Sequence, residues 1–339
     1  MKKLTLSMLL LVLAAGFLPA QNADVVYIDG WVDLKRAGGG VEEAFFGDLV
    51  RVGDSVITGV DGTAELARGT GAHIFVSEDT VFTLMETERN GERQTVLSCT
   101  LGSVAFKFQK MTEKEPLVSS PSLVAGIRGT EFTVYTAADG SSLVAVESGR
   151  VDIEAAGETV SLEAEEGVEV RPGEAPGEKF QVLRGQIDYS AWSDEKMAAF
   201  LEDPAAALGR IGTRMDEYIA RIFEFNDHKT RLKQAIEKER AKLEEIKASQ
   251  GEAAMVDHYK TVIQPMEREE AFSVLNYRYY TLSALSLRRY IMTPLYVTMK
   301  TTYLSDQSAD TYLSFLEVYQ GLLEQYEKGV VPYLVEADF

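Results

Sequence analysis

The chain has one cysteine, three histidines and two tryptophans among 339 residues, and the shortages are informative. Cys99 has no partner for an internal disulfide, and one thiol with three scattered histidines (His73, His228 and His258) offers no zinc-ligand spacing. The phosphate-binding loop, the dinucleotide fingerprint and the Gly-x-Ser-x-Gly elbow are absent from the sequence. Basic runs are absent as well. Lys and Arg number 34 against 53 Asp and Glu, a formal net charge of −19, so there is no cationic footprint for phosphates and nucleic acid is not an expected partner. The same repulsion disfavours an anionic lipid surface.

Long apolar runs are nearly absent too, and the one that occurs is N-terminal. Met1, Lys2 and Lys3 precede an apolar stretch from Leu4 to Leu18, followed by Pro19, Ala20 and Gln21. This predicts a signal peptide over residues 1–20, and a mature chain that is soluble and periplasmic or otherwise extracytoplasmic. The run is shorter than the roughly 20 residues a bilayer span requires. Losing Lys2 and Lys3 takes the charge from −19 to −21. Residues 21–190 hold 29 acidic and 14 basic side chains and residues 191–339 hold 24 and 18, so most of the excess lies in the front half.

That half reads as all-β. Val25 to Ile28, Val32 to Leu34, Ala64 to Leu66, Ile74 to Val76 and Val81 to Leu84 are short runs separated by Gly30, Gly38 to Gly40, Gly59, Gly62, Gly69 and Gly71. Asp61-Gly62 and Asp139-Gly140 predict hairpin turns. Alternation puts Val104, Phe106 and Phe108 on the core face of a strand and Lys107 outside. The charged stretch Met111 to Glu115 ends that run, and Pro116 and Pro121 bracket an expected loop. A strand is expected to start just after Gly129, with its partner at Leu143 to Val146 and a third strand at Arg150 to Ile153. Arg128, between Gly126 and Gly129, either meets a ligand or partner or clamps a turn through Glu131 or Glu147. The edge bearing Glu163, Glu165, Glu166 and Glu169 could hold a hard cation only if its oxygens converged. On alternating positions they point apart, so a solvated surface is expected, with no metal or cofactor.

Val124-Ala125-Gly126-Ile127-Arg128-Gly129-Thr130-Glu131-Phe132, the Asp139-Gly140 turn and Val146-Glu147-Ser148-Gly149-Arg150-Val151 occur in that order. Together with Gly53-Asp54, Ile57-Thr58-Gly59 and Asp61-Gly62-Thr63-Ala64 upstream, they resemble the FecR domain, over roughly Val25 to Val182. The resemblance implies an all-β extracytoplasmic domain, a roll or short solenoid-like stack. Regulators of that family place a cytoplasmic anti-sigma segment and a membrane helix ahead of the domain. Here only the leader-like segment stands there, which favours an envelope binding or assembly module. The candidate structural or partner-binding residues are Arg128, Gly126, Gly129, Thr130, Glu131, Glu147 and Gly149.

The back half reads as an α-helical hairpin or bundle, giving expected divisions of 21–188 and 189–339. Ser193-Asp194-Glu195-Lys196 resembles a helix start. Leu208, Met215, Ile222, Ile236 and Leu243 recur at one heptad position, and Ile211, Tyr218, Phe225, Leu232 and Ile246 at another. Lys229 and Glu239 interrupt the pattern, so exposure is expected beyond Phe225. Ser249-Gln250-Gly251 should turn the chain into an antiparallel return, with Pro265 and Pro294 bending it and another helix at Asp306 to Tyr326. Tyr277, Tyr279, Tyr280, Tyr290, Tyr296 and Tyr303 read as inter-helix packing, with a ligand groove as the alternative. The expected function is a non-catalytic envelope scaffold whose helical arm meets a protein or glycan, with room for a homo-oligomer through that arm. A periplasmic ligand sensor and an enzyme acting on envelope polymers are the alternatives.

Overall fold

The computed structural model describes residues 22–69, 71–109, 115–182 and 186–334. The expected leader and the charged residues 111–114 lie outside the described residues. Fifteen strands are found among them: β1 (Ala23–Asp29), β2 (Val32–Lys35), β3 (Val41–Glu43), β4 (Leu49–Val50), β5 (Ser55–Thr58), β6 (Thr63–Arg68), β7 (Ala72–Val76), β8 (Val81–Arg89), β9 (Glu92–Phe108), β10 (Leu117–Ser119), β11 (Val124–Thr136), β12 (Ser142–Ala155), β13 (Glu158–Glu163), β14 (Glu166–Val170) and β15 (Phe180–Gln181).

These strands form one hydrogen-bonded network that folds into two sheets. The first sheet runs β15, β14, the front of β12, the back of β11, the back of β9, β7, β6, β1 and β4. The second runs β13, the back of β12, the front of β11, β10, the front of β9, β8, β5, β2 and β3. Three long strands therefore belong to both sheets, bending from one to the other. Inward side chains of both sheets, including Leu66, Phe106, Phe132 and Val144 from the first and Leu34, Phe82, Leu97 and Val151 from the second, share one buried core. Alternation places Val104, Phe106 and Phe108 in it and leaves Lys107 exposed, as the sequence implies.

Several local expectations change with this topology. Asp61-Gly62 is a turn, with Gly62 N donating to Gly59 O at 3.0 Å, but it joins β5 in the second sheet to β6 in the first, so it makes no hairpin. The segment between Pro116 and Pro121 contains β10, which bridges β9 and β11. β11 starts at Val124 and runs through Gly129, and Leu143 to Val146 and Arg150 to Ile153 are parts of one strand, β12.

The helices are α1 (Tyr189–Glu202), α2 (Pro204–Ala241), α3 (Leu243–Gln250), α4 (Glu252–His258), α5 (Gln264–Ser286), α6 (Thr293–Thr302), α7 (Asp310–Gly329) and the short α8 (Val331–Leu334). The first cap is Asp188, whose side chain accepts from Ala191 N, and the expected start at Ser193 is already inside the helix. α2 has 38 residues, about 57 Å at 1.5 Å per residue. Its seam residues Leu208, Ile211, Met215, Tyr218 and Ile222 pack with Ala284, Leu287, Ile291, Phe315 and Leu322, so the bundle itself fills them. Beyond Phe225 burial is sparse, with Ile236 buried on α2, and α3 and α4 contain no buried residue. There the antiparallel return is marked by exposed or half-exposed polar contacts, His228 with Glu269 at 2.9 Å and His258 with Glu239 at 3.0 Å.

Both prolines in the return follow widened turns. Tyr259–Ile263 and Leu287–Met292 are π-helical, immediately before Gln264-Pro265 and Thr293-Pro294. A proline ring inside a regular α-helix clashes with the carbonyl four residues back, and a wider turn relieves that contact.

The bundle is docked against both outer faces of the roll. On the second sheet, Tyr279 of α5 is buried against Met85, Val96 and Leu117. Beside it, Asn276 Oδ1 accepts from Thr87 Oγ1 and Glu88 N, each at 2.7 Å, and its Nδ2 donates to Glu88 Oε2 at 3.2 Å. On the first sheet, Tyr189 OH donates to Thr136 O at 3.0 Å and Lys196 Nζ lies 2.7 Å from Glu169. Asn276→Ala removes the acceptor of the buried Thr87 Oγ1 hydroxyl, and should cost about 1 to 3 kcal/mol. Urea unfolding of the full chain checks this; an unchanged midpoint would remove Asn276 from the docking contact.

Candidate functional site

The residues singled out by sequence gather where β11 and β12 change sheets. Register is lost between Arg128 and Glu131, and Gly129 and Gly149 have positive φ, 54° and 82°. A Cβ on Gly149 would lie 2.6 Å from Thr130 Cγ2 and 2.7 Å from Gly129 O. Only glycine fits that space and that backbone. Thr130 is buried, and Gly129 N donates to Glu115 Oε1 at 2.8 Å. Gly126 lies earlier on β11, opposite Asp152. The motif therefore lies at a corner, and the glycines read as boundaries stand within strands.

Arg128 is exposed and opposite Arg150. No described carboxylate makes an ion pair with it. The expected partner Glu131 instead meets Lys107 at 3.4 Å, while Glu147 is half-buried on β12. Arg150 is occupied by Asp152, Glu163 and Ser161. A hydrogen bond from Ser161, opposed by partial desolvation and reinforced by Arg150 and more weakly by Arg128, holds the Asp152 carboxyl below its ordinary range.

The buried carboxylates serve local structure. Asp54 accepts from Arg36, Ala37 N and Arg51 N. Asp139 accepts from Ser141 N and Oγ, closing the β11 to β12 turn, and burial pushes its carboxyl up. Burial also raises the Glu86 carboxyl, against the pull of Arg93, Arg278 and Arg68. On the acidic edge Glu163 meets Arg150 at 3.6 Å, Glu166 meets Lys179 at 2.8 Å and Glu169 meets Lys196, so three of its four carboxylates are paired. Among the described residues no group of three or more His, Cys, Asp and Glu could hold a metal ion. Cys99 is fully buried and its thiol is pushed up to about 12, far from thiolate chemistry.

Two clefts lie between roll and bundle. One, of about 260 Å³, has Lys35, Arg36, Arg289 and Tyr290 on its walls, with Lys35 and Arg289 each 5.9 Å from the centre of the Tyr290 ring. The other, of about 450 Å³, is bordered by Arg89, Glu154, Arg214, Tyr279 and Tyr280. Most of the tyrosine stretch is packing: Tyr277 is buried with its OH donating to Tyr333 O, and Tyr296 stacks on Tyr319. The meeting of Lys35 with Arg289 had no sequence signal, since those residues are far apart in the chain and neither belongs to a motif.

Residues 54–152 match the family model described as FecR protein. Two solved structures, both described as a candidate anti-sigma factor from Parabacteroides distasonis ATCC 8503, are similar to part of the chain. One is 17% identical, covering 41% of this chain and 63% of that one with a TM-score of 0.33. The other is 16% identical, covering 38% and 59% with a TM-score of 0.32. The chain thus spans less than two thirds of the length of either. No curated protein matches it.

Two outcomes test the corner. Gly149→Val should destabilise the roll by several kcal/mol, on the order of 3, whereas exposed Arg128→Ala should change stability by less than about 0.5 kcal/mol; denaturant melts of both variants decide it. A thiol reagent at pH 8 should label Cys99 only after unfolding, and fast labelling of the folded chain would contradict its burial.

Proposed function

We propose that the chain is a non-catalytic binding or assembly scaffold of the cell envelope, in which a FecR-like β unit (21–188) and a helical unit (189–339) are held in a fixed mutual orientation. The observation that carries this reading is the docking of the bundle on both outer faces of the roll, through Tyr279 and Asn276 on one side and Lys196 and Tyr189 on the other. A rigid join presents surfaces in fixed register to a partner. The leader-like N-terminus and the family match support an extracytoplasmic place. Among the described residues no helix is long and apolar enough to cross a membrane.

The exposed far end of the α2 hairpin and the corner bearing Arg128 are two surfaces the fixed body offers to a partner. Affinity capture from envelope extract with the full chain, repeated with Arg128→Ala and with Arg240→Ala on the hairpin, tests the reading. A saturable partner weakened by one of these variants supports it. Turnover of purified envelope glycans by the chain would overturn it.

A second reading, a ligand sensor, draws on the cleft between Lys35 and Arg289. It predicts that a small anion raises the melting temperature of the chain, and that Lys35→Gln with Arg289→Gln abolishes the rise.

A further inference from the structure

Among the described residues, six of the 14 exposed large hydrophobic ones fall within residues 27–60: Tyr27, Trp31, Val41, Phe45, Phe46 and Val60. Phe46 is 79% exposed and Trp31 62%. They belong to neighbouring segments that cross between the two sheets. Gly59 N donates to Trp31 O at 2.9 Å, Ala44 N to Val32 O at 2.9 Å and Gly47 N to Val25 O at 2.8 Å. The crossings at Trp31, at Phe45 and Phe46, and at Val60 are thereby tied together.

The exposure is built in. A Cβ on Gly59 would lie 2.5 Å from Trp31 Cε3, and one on Gly62 would lie 1.9 Å from Trp31 O. Gly59 thus makes the bed on which the indole lies and Gly62 leaves room for the Trp31 carbonyl, while the indole Nε1 donates to Asp33 Oδ1 at 3.2 Å. Exposed aromatic clusters of this kind mark interaction surfaces in soluble proteins. Among the described residues the adjoining strand β3 pairs only with β2, leaving its other edge open, and its three residues are exposed.

Charge selects the occupant. Asp29, Asp33, Glu43 and Asp61 border the aromatics and make no ion pair among the described residues. Arg36, at the far end of β2, is taken up by Glu42 and Asp54. A second copy of this chain, with a net charge of −19, would meet the patch with the same sign. We infer that the open edge of β3 and the Trp31–Phe46 surface bind an extended basic segment of a partner protein, in which Lys or Arg alternates with apolar residues. Such a strand would add to β3 by backbone hydrogen bonds. Its cations would meet the carboxylates and the indole face, and its apolar side chains would meet the phenylalanines.

The inference rests on the scaffold reading and names the chemistry of a partner. Its probe is a ten-residue peptide alternating Lys and Val, compared with the same peptide carrying Glu for Lys, with binding followed by tryptophan emission of the full chain. The Lys peptide should bind at least tenfold more tightly than the Glu peptide and weaken as salt rises. Trp31→Ser with Phe46→Ser leaves charge untouched and, because both side chains are exposed, should leave the melting temperature unchanged. Binding by that variant, followed calorimetrically, should be at least tenfold weaker. Equal binding of the two peptides, or full binding by a folded variant, would overturn the inference. A neutral oligosaccharide that shifts emission without salt dependence would overturn the cationic assignment. An envelope partner captured equally by wild type and variant would sink this surface and leave the scaffold reading standing.

Discussion

The left-handed backbone at Gly102, Gly129 and Gly149 is the constraint on which the roll depends. It lets β9, β11 and β12 serve two sheets each, so that one core is enclosed by strands that never stop at its corners. At Gly102 a Cβ would lie 2.2 Å from Thr80 Oγ1, and at Gly149 one would meet Thr130, so space as well as torsion demands glycine. Because the backs of β9 and β11 are antiparallel, with Gly102 opposite Thr136 and Lys107 opposite Glu131, the corners lie at opposite ends of the shared segment. That arrangement closes the core at both ends.

The bundle completes what the corners begin. Leu101, just before the Gly102 corner, packs against the helical core, and Gly140 at the tip of the β11 to β12 turn approaches Ile291. α1 and α5 then reach opposite outer faces of the roll. Outward residues such as Met85, Leu143 and Ala145, which in a lone roll would face water, are buried here by helices. This explains why β8 is buried through seven consecutive positions, a pattern that follows when both faces of a strand are covered. The acidity of the front half is compatible with the docking, because Lys196 brings a cation to Glu169 where the two units touch.

Much of this was legible in the sequence. Alternation in Val104, Phe106 and Phe108 reports their face, and the heptad positions of α2 report its buried side as far as Ile222, because both periods depend on local geometry. The ordered glycine motifs point to the family whose model residues 54–152 match. The corners were misread for a physical reason: a glycine between two apolar runs looks the same whether the chain turns back on itself or bends into another sheet. Only long-range pairing distinguishes Asp61-Gly62, a crossing, from Asp139-Gly140, a hairpin. Arg128 drew attention because it stands in the motif, yet it is exposed. Asn276, Lys196 and Trp31 carried no pattern, since their roles come from partners far away in the chain or from the space above a glycine.

The central claim is that roll and bundle form one body. Calorimetry of the full chain tests it most directly, through the ratio of calorimetric to van't Hoff enthalpy. The account predicts a single transition with a ratio near one. Two resolved transitions, with the helices melting apart from the strands, would contradict it.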